Sequence, residues 1–267
     1  TVCGENAVLR ILRHTSAIKG FEDLGMPNGA RDSLKRALAM PHGMILVTGP
    51  TGSGKTTTLY TALAHVNSPH RNIMTIEDPV EIRVPLIRQT QVHAEIGMTF
   101  AGALRSILRQ DPDVILVGEI RDEETAQIAV QASLTGHLVL STLHTNDAAG
   151  AVARLRDFNV PPFAINSSLL CVMAQRLVRR VCERCAVKYE PDEVELQRYG
   201  IDASHAGGLR KGEGCAHCAD SGYRGRVGVY ELMEATPRVQ RSIEAADSTA
   251  ALRDAAMDDG MCLLWED

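Results

Sequence analysis

Short runs of branched apolar residues alternate with longer segments in which apolar residues recur at helical spacing. The runs have the length and β-branched content of buried strands, and they occupy residues 44–48, 73–77, 114–118 and 138–142. Helical spacing predicts helices at about 31–40, 55–66, 99–109, 122–134, 147–157 and 162–180. Strands that alternate with helices predict an α/β fold, in which helices cover both faces of a mostly parallel sheet.

The two ends of the chain differ from this alternating centre. Residues 1–13 contain AVLRIL, a candidate strand too short to stand alone, and residues 14–30 are punctuated by Gly and Pro as in a linker. From about residue 181 the pattern changes to paired cysteines, Gly-rich stretches and short helices. We therefore expect a small additional unit after the α/β core.

Composition and charge exclude some classes of protein. The chain has 267 residues, 45% of them hydrophobic and 23% charged, which is typical of a globular protein. No apolar run approaches the roughly 20 residues that span a bilayer. The net charge of -5 argues against a nucleic-acid partner. Seven cysteines without a secretory signal favour a reducing cytoplasm. The chain begins abruptly at Thr1, and we expect it to be part of a longer protein.

A glycine-rich loop, GPTGSGKTTT at 49–58, follows the first predicted strand and opens a helix. It matches the phosphate-loop pattern GxxxxGK[ST], in which backbone N–H groups and a helix N-terminus face an anion. Lys55 is expected to meet the β- and γ-phosphates, and the Thr56 hydroxyl to ligate Mg²⁺. The predicted nucleotide-binding residues are Gly49, Pro50, Thr51, Gly52, Ser53, Gly54, Lys55, Thr56 and Thr57. The alternative is a flexible loop that binds no ligand. The predicted strand before the loop and the helix after it argue against this alternative.

The ends of the other three predicted strands carry candidate reactive groups. Glu77, Glu119 and His144 lie at or just past those ends, and ligands of parallel sheets bind at this edge. Phosphoryl transfer to water needs a metal, a positioned nucleophile and groups that absorb charge. We expect Glu119 and Thr56 to hold Mg²⁺, directly or through water, and Glu77 to polarise the attacking water. His144 is expected to contact the γ-phosphate or to report its loss.

Several assignments at this edge stay open. Asp78 lies beside Glu77 and precedes a proline, so one of the two carboxylates can simply cap a turn. A solvated strand end is the alternative for Glu119. Gly118 occupies the position at which many nucleotide hydrolases have an Asp that is linked to the metal ion. Other groups must therefore bind the metal in this chain. Asp122 can cap the helix that follows.

Two arginines and a second histidine are less clearly placed. Arg105 and Arg109 lie four residues apart and hence on one face of the predicted helix 99–109. Phosphate sensing, subunit bridging and an ordinary solvated face are all open for them. His137 precedes its strand and lies at the edge opposite the phosphates, so geometry gives it no direct catalytic role.

Two C-x-x-C pairs, Cys182 with Cys185 and Cys215 with Cys218, suit tetrahedral Zn²⁺. All four positions would be filled by protein, which indicates a structural site. The gap between the pairs exceeds the commonest ribbon spacing, so a small subdomain must loop out. A redox role is the alternative, and His217 inside the second pair is expected to be a bystander.

Together these motifs resemble one family, the secretion ATPases of type II secretion and type IV pilus assembly, over nearly the whole chain. GPTGSGKTTTLY resembles its Walker A box, and LRQDPDVILVGEIRD (108–122) resembles its atypical Walker B box. TIEDPVE (75–81) resembles its aspartate box, and TGHLVLSTLHTND (135–147) its histidine box. The four cysteines resemble those of the assembly ATPases. QTQV (89–92) looks more like the type II secretion branch, general secretion pathway protein E, than the pilus branch.

The resemblance implies a RecA-like ATPase that uses ATP, Mg²⁺ and Zn²⁺ and works as a homo-hexamer in the full-length protein. It implies inner-membrane platform proteins as partners, and a cytoplasmic location at the membrane through them. Arg10 matches a family arginine that reaches nucleotide from a preceding domain, most of which we expect to be missing. Arg105 and Arg109 match arginines near subunit interfaces, and His137 belongs to the histidine box.

With this resemblance, the chain is expected to divide into four parts. These are a remnant of the preceding domain with its linker at 1–20, a RecA-like ATPase domain at 21–180, a tetracysteine zinc subdomain at 181–225 and a C-terminal helical subdomain at 226–267.

The favoured function is an ATP-driven motor for pseudopilus assembly in type II secretion, with type IV pilus assembly as the alternative. A nucleic-acid translocase on the same core would require a basic stripe, which the net charge does not favour. A non-hydrolysing scaffold held by zinc predicts no turnover of ATP.

Overall fold

A computed structural model of the chain describes residue 4 and residues 20–202 and 207–266. Arg10 lies outside the described residues. The helices are α1 (Asn28–Leu38), α2 (Lys55–Val66), α3 (Phe100–Ile107), α4 (Glu123–Leu134), α5 (Ala148–Asp157), α6 (Pro162–Ser168), α7 (Glu193–Tyr199), α8 (Pro237–Glu244) and α9 (Thr249–Asp258). The strands are β1 (Gly43–Thr48), β2 (Ile73–Glu77), β3 (Arg88–Gln91), β4 (Val114–Val117), β5 (Leu138–Leu143), β6 (Leu169–Val181), β7 (Ala186–Lys188), β8 (Arg210–Gly212) and β9 (Tyr223–Glu234).

A seven-stranded sheet with the order β3-β2-β4-β5-β1-β6-β9 forms the centre of the fold. Neighbouring strands are parallel from β3 to β6, and β9 alone runs antiparallel, beside β6. Strands β7 and β8 form a separate antiparallel pair. The predicted α/β fold with a mostly parallel sheet is therefore confirmed.

The sheet separates two buried apolar clusters. On one face α1 and α2 cover the strands with side chains such as Leu34, Leu38 and Leu63. On the other face α3 to α6, α8 and α9 contribute a larger cluster. Because β1, β2, β4 and β5 are buried along their whole length, their carboxyl ends are held in fixed positions.

The predicted helix 162–180 is wrong beyond its first seven residues. Helix α6 ends at Ser168, and the chain continues as β6 from Leu169. The run 169–181 is apolar enough to suit either structure, and its hydrogen-bonding partners decide between them. It pairs with β1 on one side and β9 on the other, which buries its first half in the sheet. Strands β3 and β9 were not predicted either.

Strands β6 and β9 form an antiparallel ribbon, and the cysteine-bearing segment lies between them in the chain. The N–H of Cys182 donates to the carbonyl of Gly222, 2.9 Å away, where this segment leaves and rejoins the ribbon. A Cβ on Gly212 would lie 2.0 Å from that same carbonyl oxygen, so only glycine allows the backbones to approach so closely. Strand β9 extends across the predicted boundary at 225, and the four-part division stays a proposal.

Within the described ranges, no helix is both long enough and apolar enough to cross a bilayer.

A candidate nucleotide site and a four-cysteine cluster

A cleft of about 870 Å³ lies at the carboxyl ends of β1, β2, β4 and β5. Its lining includes residues 51–57 of the phosphate loop. Glu77, Glu119 and His144 also line it, as the order of the strands predicted. A second cavity of about 460 Å³ lies between α1 and the C-terminal segment and contains none of the predicted site residues.

The phosphate loop has a backbone that requires glycine at two places. Gly49 and Gly54 have φ values of 147° and 90°. A Cβ on Gly49 would lie 2.5 Å from the carbonyl oxygen of Gln175, and one on Gly54 would lie 2.8 Å from the side-chain nitrogen of Gln175. The loop can therefore close over β6 only because both residues lack a side chain.

Lys55 begins α2 and turns its ammonium group back into the loop. Its Nζ donates to the carbonyl oxygens of Gly49 and Pro50, at 2.7 and 3.1 Å. Burial lowers the pKa of Lys55, and the charge of Glu119 opposes that change. A buried cation that faces loop carbonyls and a nearby carboxylate suits an anionic ligand such as a phosphate.

Ser53 indicates that the loop is built for a ligand. Its hydroxyl is buried and has no hydrogen-bond partner among the described residues. Buried hydroxyls without a partner are rare, because an unmade hydrogen bond is costly. The glycine-lined loop, the inward lysine and this hydroxyl together fit a phosphate group.

Gln175 of β6 packs against the phosphate loop, and its role was not predicted from the sequence. It is 2% exposed, and its Oε1 accepts a hydrogen bond of 2.8 Å from the Thr58 hydroxyl of α2. The strand on which it lies was predicted as a helix, which hid its proximity to the loop.

Glu77 is buried and held by three side chains. It is 5% exposed and accepts hydrogen bonds from the hydroxyls of Tyr60 and Thr75 and from the amide of Gln89, the last at 3.1 Å. Burial and the contact with Glu77 raise the pKa of Tyr60. The glutamine belongs to the QTQV segment of β3, so this motif orients the carboxylate at the end of β2.

Glu119 has cationic or ionisable neighbours. Its Oε2 lies 2.6 Å from Nε of Arg121 and 3.4 Å from Nε2 of His144. The hydrogen bond from Arg121 to Glu119 raises the pKa of Arg121. The side chain of Glu119 is 14% exposed, and it faces the cleft. It is therefore more accessible to a metal or a water molecule than Glu77.

The glycine at position 118 has a steric reason. A Cβ there would lie 3.1 Å from the carbonyl oxygen of Ile76 and 3.4 Å from Cα of Glu77. The N–H of Gly118 also donates to that carbonyl at 2.7 Å. Because β4 lies so close to the end of β2 here, an Asp would crowd the backbone beside Glu77.

His144 follows β5 on a loop that is fastened to neighbouring strands. The N–H of Thr145 donates to Oγ1 of Thr48, 2.8 Å away on β1. Arg176 of β6 donates to the carbonyl of Asn146 at 2.8 Å. The imidazole itself is about half exposed and lies at the edge of the cleft.

Glu81 and Arg226 also line the cleft and were not selected from the sequence. Glu81 is the last residue of the TIEDPVE motif and is exposed, and its carboxylate has no hydrogen bond or ion pair in the part of the chain that the structure describes. The motif itself could have drawn attention to it. Arg226 lies on β9, opposite Arg179 of β6. Its position depends on a strand pairing that the sequence did not reveal.

The predicted arginines lie away from the cleft of their own chain. Arg105 is exposed on α3 and pairs with Glu124 at 2.7 Å. Arg109 is exposed in a 3₁₀ turn after the end of α3, near the hydroxyl of Ser106. Neither lines the cleft, so contact with nucleotide would require a neighbouring subunit. His137 is likewise outside the cleft, with its Nδ1 2.9 Å from the carbonyl of Ala132.

The four cysteines of the two C-x-x-C pairs meet in one cluster. Their sulfur atoms all lie within 4.8 Å of one another, with separations of 4.0, 3.8 and 3.7 Å between Cys182 and Cys215, Cys185 and Cys218, and Cys215 and Cys218. Tetrahedral Zn²⁺ with bonds of about 2.3 Å requires sulfur separations of about 3.8 Å. The cluster can therefore hold a metal ion. His217 is not part of it and instead accepts a hydrogen bond from Arg224.

Asp122 caps α4, as expected for the start of a helix. Its Oδ1 accepts a hydrogen bond of 2.7 Å from the N–H of Thr125.

Comparison with known proteins shows which proteins the chain is similar to. The chain is 53% identical over 249 residues to type II secretion system protein E of Pectobacterium carotovorum subsp. carotovorum, covering 93% of the chain and 50% of that protein. It is 49% identical over 269 residues to type IV pilus assembly ATPase PilB of Thermus thermophilus, covering 100% of the chain and 30% of that protein. The chain thus spans half or less of the length of these relatives.

Solved structures agree with the fold. The crystal structure of the pilus retraction motor PilT with bound ADP is 29% identical and covers 92% of the chain and 65% of that protein, with a TM-score of 0.64. The ATPase DotB of Legionella pneumophila, 23% identical, covers 92% of the chain and 59% of that protein and shows the same fold, with a TM-score of 0.63. A model of the family described as type II/IV secretion system protein matches residues 1–266. The chain therefore belongs to the type II/IV secretion system protein family, which confirms the resemblance found in its motifs.

Proposed function

We propose that the chain is the catalytic part of an ATPase, which hydrolyses ATP in the cleft at the ends of β1, β2, β4 and β5. The observation that supports this most strongly is that residues from four different strand ends line one cleft: Lys55 and Thr56 after β1, Glu77 of β2, Glu119 after β4 and His144 after β5. Phosphoryl transfer depends on such positioning and on the stabilisation of charge.

The phosphate loop would bind the nucleotide. Its N–H groups and Lys55 would bind the β- and γ-phosphates, and the hydroxyl of Thr56 would hold Mg²⁺. The ion would supply positive charge against the phosphate oxygens. The fit rests on the glycine-lined loop, the inward ammonium group and the unpartnered hydroxyl of Ser53.

The carboxylates of the cleft would have two different roles, metal binding and activation of the attacking water. Glu119 is accessible and would hold Mg²⁺, directly or through water, while Arg121 and His144 limit where its side chain can point. Glu77 would polarise the attacking water from a position that three donors fix. Glu81 is a second candidate for this role, because it lines the cleft with its carboxylate unengaged by described residues.

His144 would contact the γ-phosphate or respond to its loss. Its ring nitrogen lies 3.4 Å from Glu119, so a change at either group can be transmitted to the other. The loop that carries it is fixed to β1 through Thr48, which keeps this distance short.

The biological role that we propose is a motor for pseudopilus assembly in type II secretion. Identities above 50% to several proteins named type II secretion system protein E support it. Type IV pilus assembly is the second candidate, and the match of the whole chain to PilB of Thermus thermophilus favours it. Both roles would place the protein in the cytoplasm, held at the inner membrane by platform proteins. Nucleic acid has no part in this proposal.

A homo-hexamer is part of the same proposal. Arg105 and Arg109 are exposed and lie outside the cleft of their own chain, so a neighbouring subunit is the place where they would act. Arg10 would act from the preceding domain.

The test of the proposed activity is a steady-state assay of ATP hydrolysis by the full-length protein, with and without the cytoplasmic part of the platform protein. Lys55→Ala should lower the rate by roughly 100-fold or more, since a charge-stabilising group is lost. Lys188→Ala, an exposed change on β7, is the matched control. No turnover by the unchanged protein with its platform, or unchanged turnover in Lys55→Ala, would contradict the proposal. Whether a type II or a pilus platform protein stimulates the rate separates the two roles.

A further inference from the structure

We propose that Glu231 is a positioning residue for the cleft, acting through the backbone of the loop that carries His144. This inference rests on the proposed hydrolysis of ATP. Glu231 does not line the cleft. It lies in the second half of β9, opposite Ala174 of β6, and faces α5.

The carboxylate of Glu231 is buried and joins two separate segments. Glu231 is 1% exposed. Its Oε1 accepts a hydrogen bond of 2.8 Å from the N–H of Ala148, and its Oε2 accepts one of 3.3 Å from the N–H of Leu264. A buried carboxylate is costly unless its oxygens are paired. Both pairings here are to backbone, so the group fixes the course of the chain.

One of these segments leads directly to the cleft. Ala148 is the first residue of α5, four residues after His144. Thr48 holds the near end of the intervening loop through Thr145, and Glu231 holds its far end. In the described residues the polar contact of the His144 ring is Glu119, so the backbone of this clamped loop determines where the ring lies.

The negative charge also suits its position. Helix α5 has 10 residues, and a carboxylate at a helix N-terminus interacts favourably with the helix dipole. Asp147 caps the same helix through the N–H of Gly150, which leaves the N–H of Ala148 for Glu231.

A carboxylate is required because there are two donors. A glutamine has one acceptor oxygen, and its NH₂ group would face the second N–H. Glu231→Gln should therefore keep the volume of the side chain but release either Ala148 or Leu264.

The test is a double-mutant cycle in kcat for ATP hydrolysis with Glu231→Gln and His144→Ala. Glu231→Gln should lower kcat roughly three- to tenfold with little change in KM, since a small misplacement of a catalytic group slows the chemical step. In the His144→Ala background the same change should cause no further loss. Glu234→Gln is the control, because this residue lies on the same strand but contacts Ser33 and Arg36 of α1.

A second variant separates positioning from folding. Ala148→Pro removes the N–H group that donates a hydrogen bond to Glu231. Ala148 is the first residue of α5, and proline is accommodated at the first position of a helix. It should reproduce the loss of kcat at a temperature at which circular dichroism shows the variant to be folded, although the carboxylate oxygen left without its donor lowers the melting temperature. Normal kcat in both variants, or an equal loss with and without His144, would overturn the proposal.

A readout without turnover distinguishes this inference from the proposed function. The ring signal of His144 in a ¹H–¹³C spectrum can be assigned by its absence in His144→Ala. It should shift in Glu231→Gln and stay in place in Glu234→Gln. If the unchanged protein hydrolyses no ATP, the proposed function fails and this shift alone decides the inference. An unshifted signal in Glu231→Gln would refute it.

Discussion

At the scale of single residues, Glu77 and Glu119 differ in the partners of their carboxylates. Three neutral donors hold Glu77 in a buried position, whereas Glu119 faces the cleft beside Arg121 and His144. The same residue type at two neighbouring strand ends therefore has different freedom to bind a metal. Replacing each by Gln should have different effects.

We expect Glu119→Gln to lower kcat by roughly 100-fold or more and to weaken the dependence on Mg²⁺, since it removes a charge close to the reacting phosphate. Affinity for a fluorescent ATP analogue in the absence of metal should change little. Titration of kcat with Mg²⁺ measures the first effect. Equal Mg²⁺ dependence in the variant and the unchanged protein would remove Glu119 from the metal site.

Tyr60→Phe should lower kcat by roughly tenfold while leaving the fold intact, because Glu77 loses one of its three donors and its orientation becomes less fixed. Tyr189→Phe removes the same hydroxyl from the cysteine-bearing segment and is the control. The two kcat values, measured at saturating ATP, decide the matter. If they are equal, the orientation of Glu77 does not limit the reaction.

Gly118 is a residue at which the common Asp of other ATPases should harm this protein. Gly118→Asp should lower the stability by about 1–3 kcal/mol, as the new Cβ meets the carbonyl of Ile76. Thermal unfolding measures this change. Gly29→Asp makes the same substitution where a Cβ meets nothing within 4 Å and serves as the control. A stable and more active Gly118→Asp would show that β2 and β4 can move apart.

At the scale of elements, β6 connects the two sites of the molecule. It carries Gln175 under the phosphate loop and ends beside Cys182. Gln175→Ala should weaken nucleotide binding by roughly tenfold, since Thr58 loses its hydrogen-bond acceptor and Gly54 loses the amide against which it packs. Isothermal titration with ADP measures the affinity. Gln127→Ala, exposed on α4, is the control, and identical affinities in the two variants would contradict this role of β6.

The cysteine cluster is expected to bind one Zn²⁺ per chain. Cys182→Ser and Cys215→Ser should each lose the metal and destabilise the segment between β6 and β9, since structural zinc stabilises small units that lack a large core. Elemental analysis and limited proteolysis measure the two effects. Cys262→Ser lies outside the cluster and should retain the metal. Full zinc content in Cys182→Ser would refute the ligand set.

The strand or loop on which each site residue lies explains whether its place in the site could be predicted from the sequence. Lys55, Glu77, Glu119 and His144 could be brought together from sequence, because parallel strands place their carboxyl ends at one edge. Gln175, Arg226 and Glu231 could not, because β6 suits a helix by its apolar pattern and β9 is interrupted by glycines. Their strand conformation depends on pairing with β1 and with each other, which is a tertiary effect.

At the scale of the whole molecule, Arg105 and Arg109 do not line the described cleft of their own chain. Arg105 and Arg109 lie on an exposed surface outside the cleft, and Arg10 is outside the described residues. A complete site would therefore combine residues of neighbouring subunits if the proposed hexamer forms. This makes a mixing experiment informative.

Arg105→Ala and Lys55→Ala should each be nearly inactive alone, and an equimolar mixture should recover measurable hydrolysis. Recovery is expected because some interfaces in a mixed ring would pair an intact lysine with an intact arginine. Mixing Lys55→Ala with Glu119→Ala is the control, since both changes fall in the same cleft and either variant still supplies Arg105. That mixture should recover no activity. Full activity of Arg105→Ala alone, or no recovery of hydrolysis on mixing, would contradict the proposal that Arg105 acts in the cleft of a neighbouring subunit.

The β6–β9 ribbon has a mechanical consequence. At about 3.3 Å per residue, Cys182 lies roughly 23 Å along β6 from Gln175, and pairing with β9 stiffens the ribbon over this length. The ribbon is fixed at one end beneath the phosphate loop, and the four cysteine thiols lie at its other end. A force applied at that end would be transmitted along the ribbon to the floor of the nucleotide cleft, past one irregularity in the strand pairing between Arg179 and Val181.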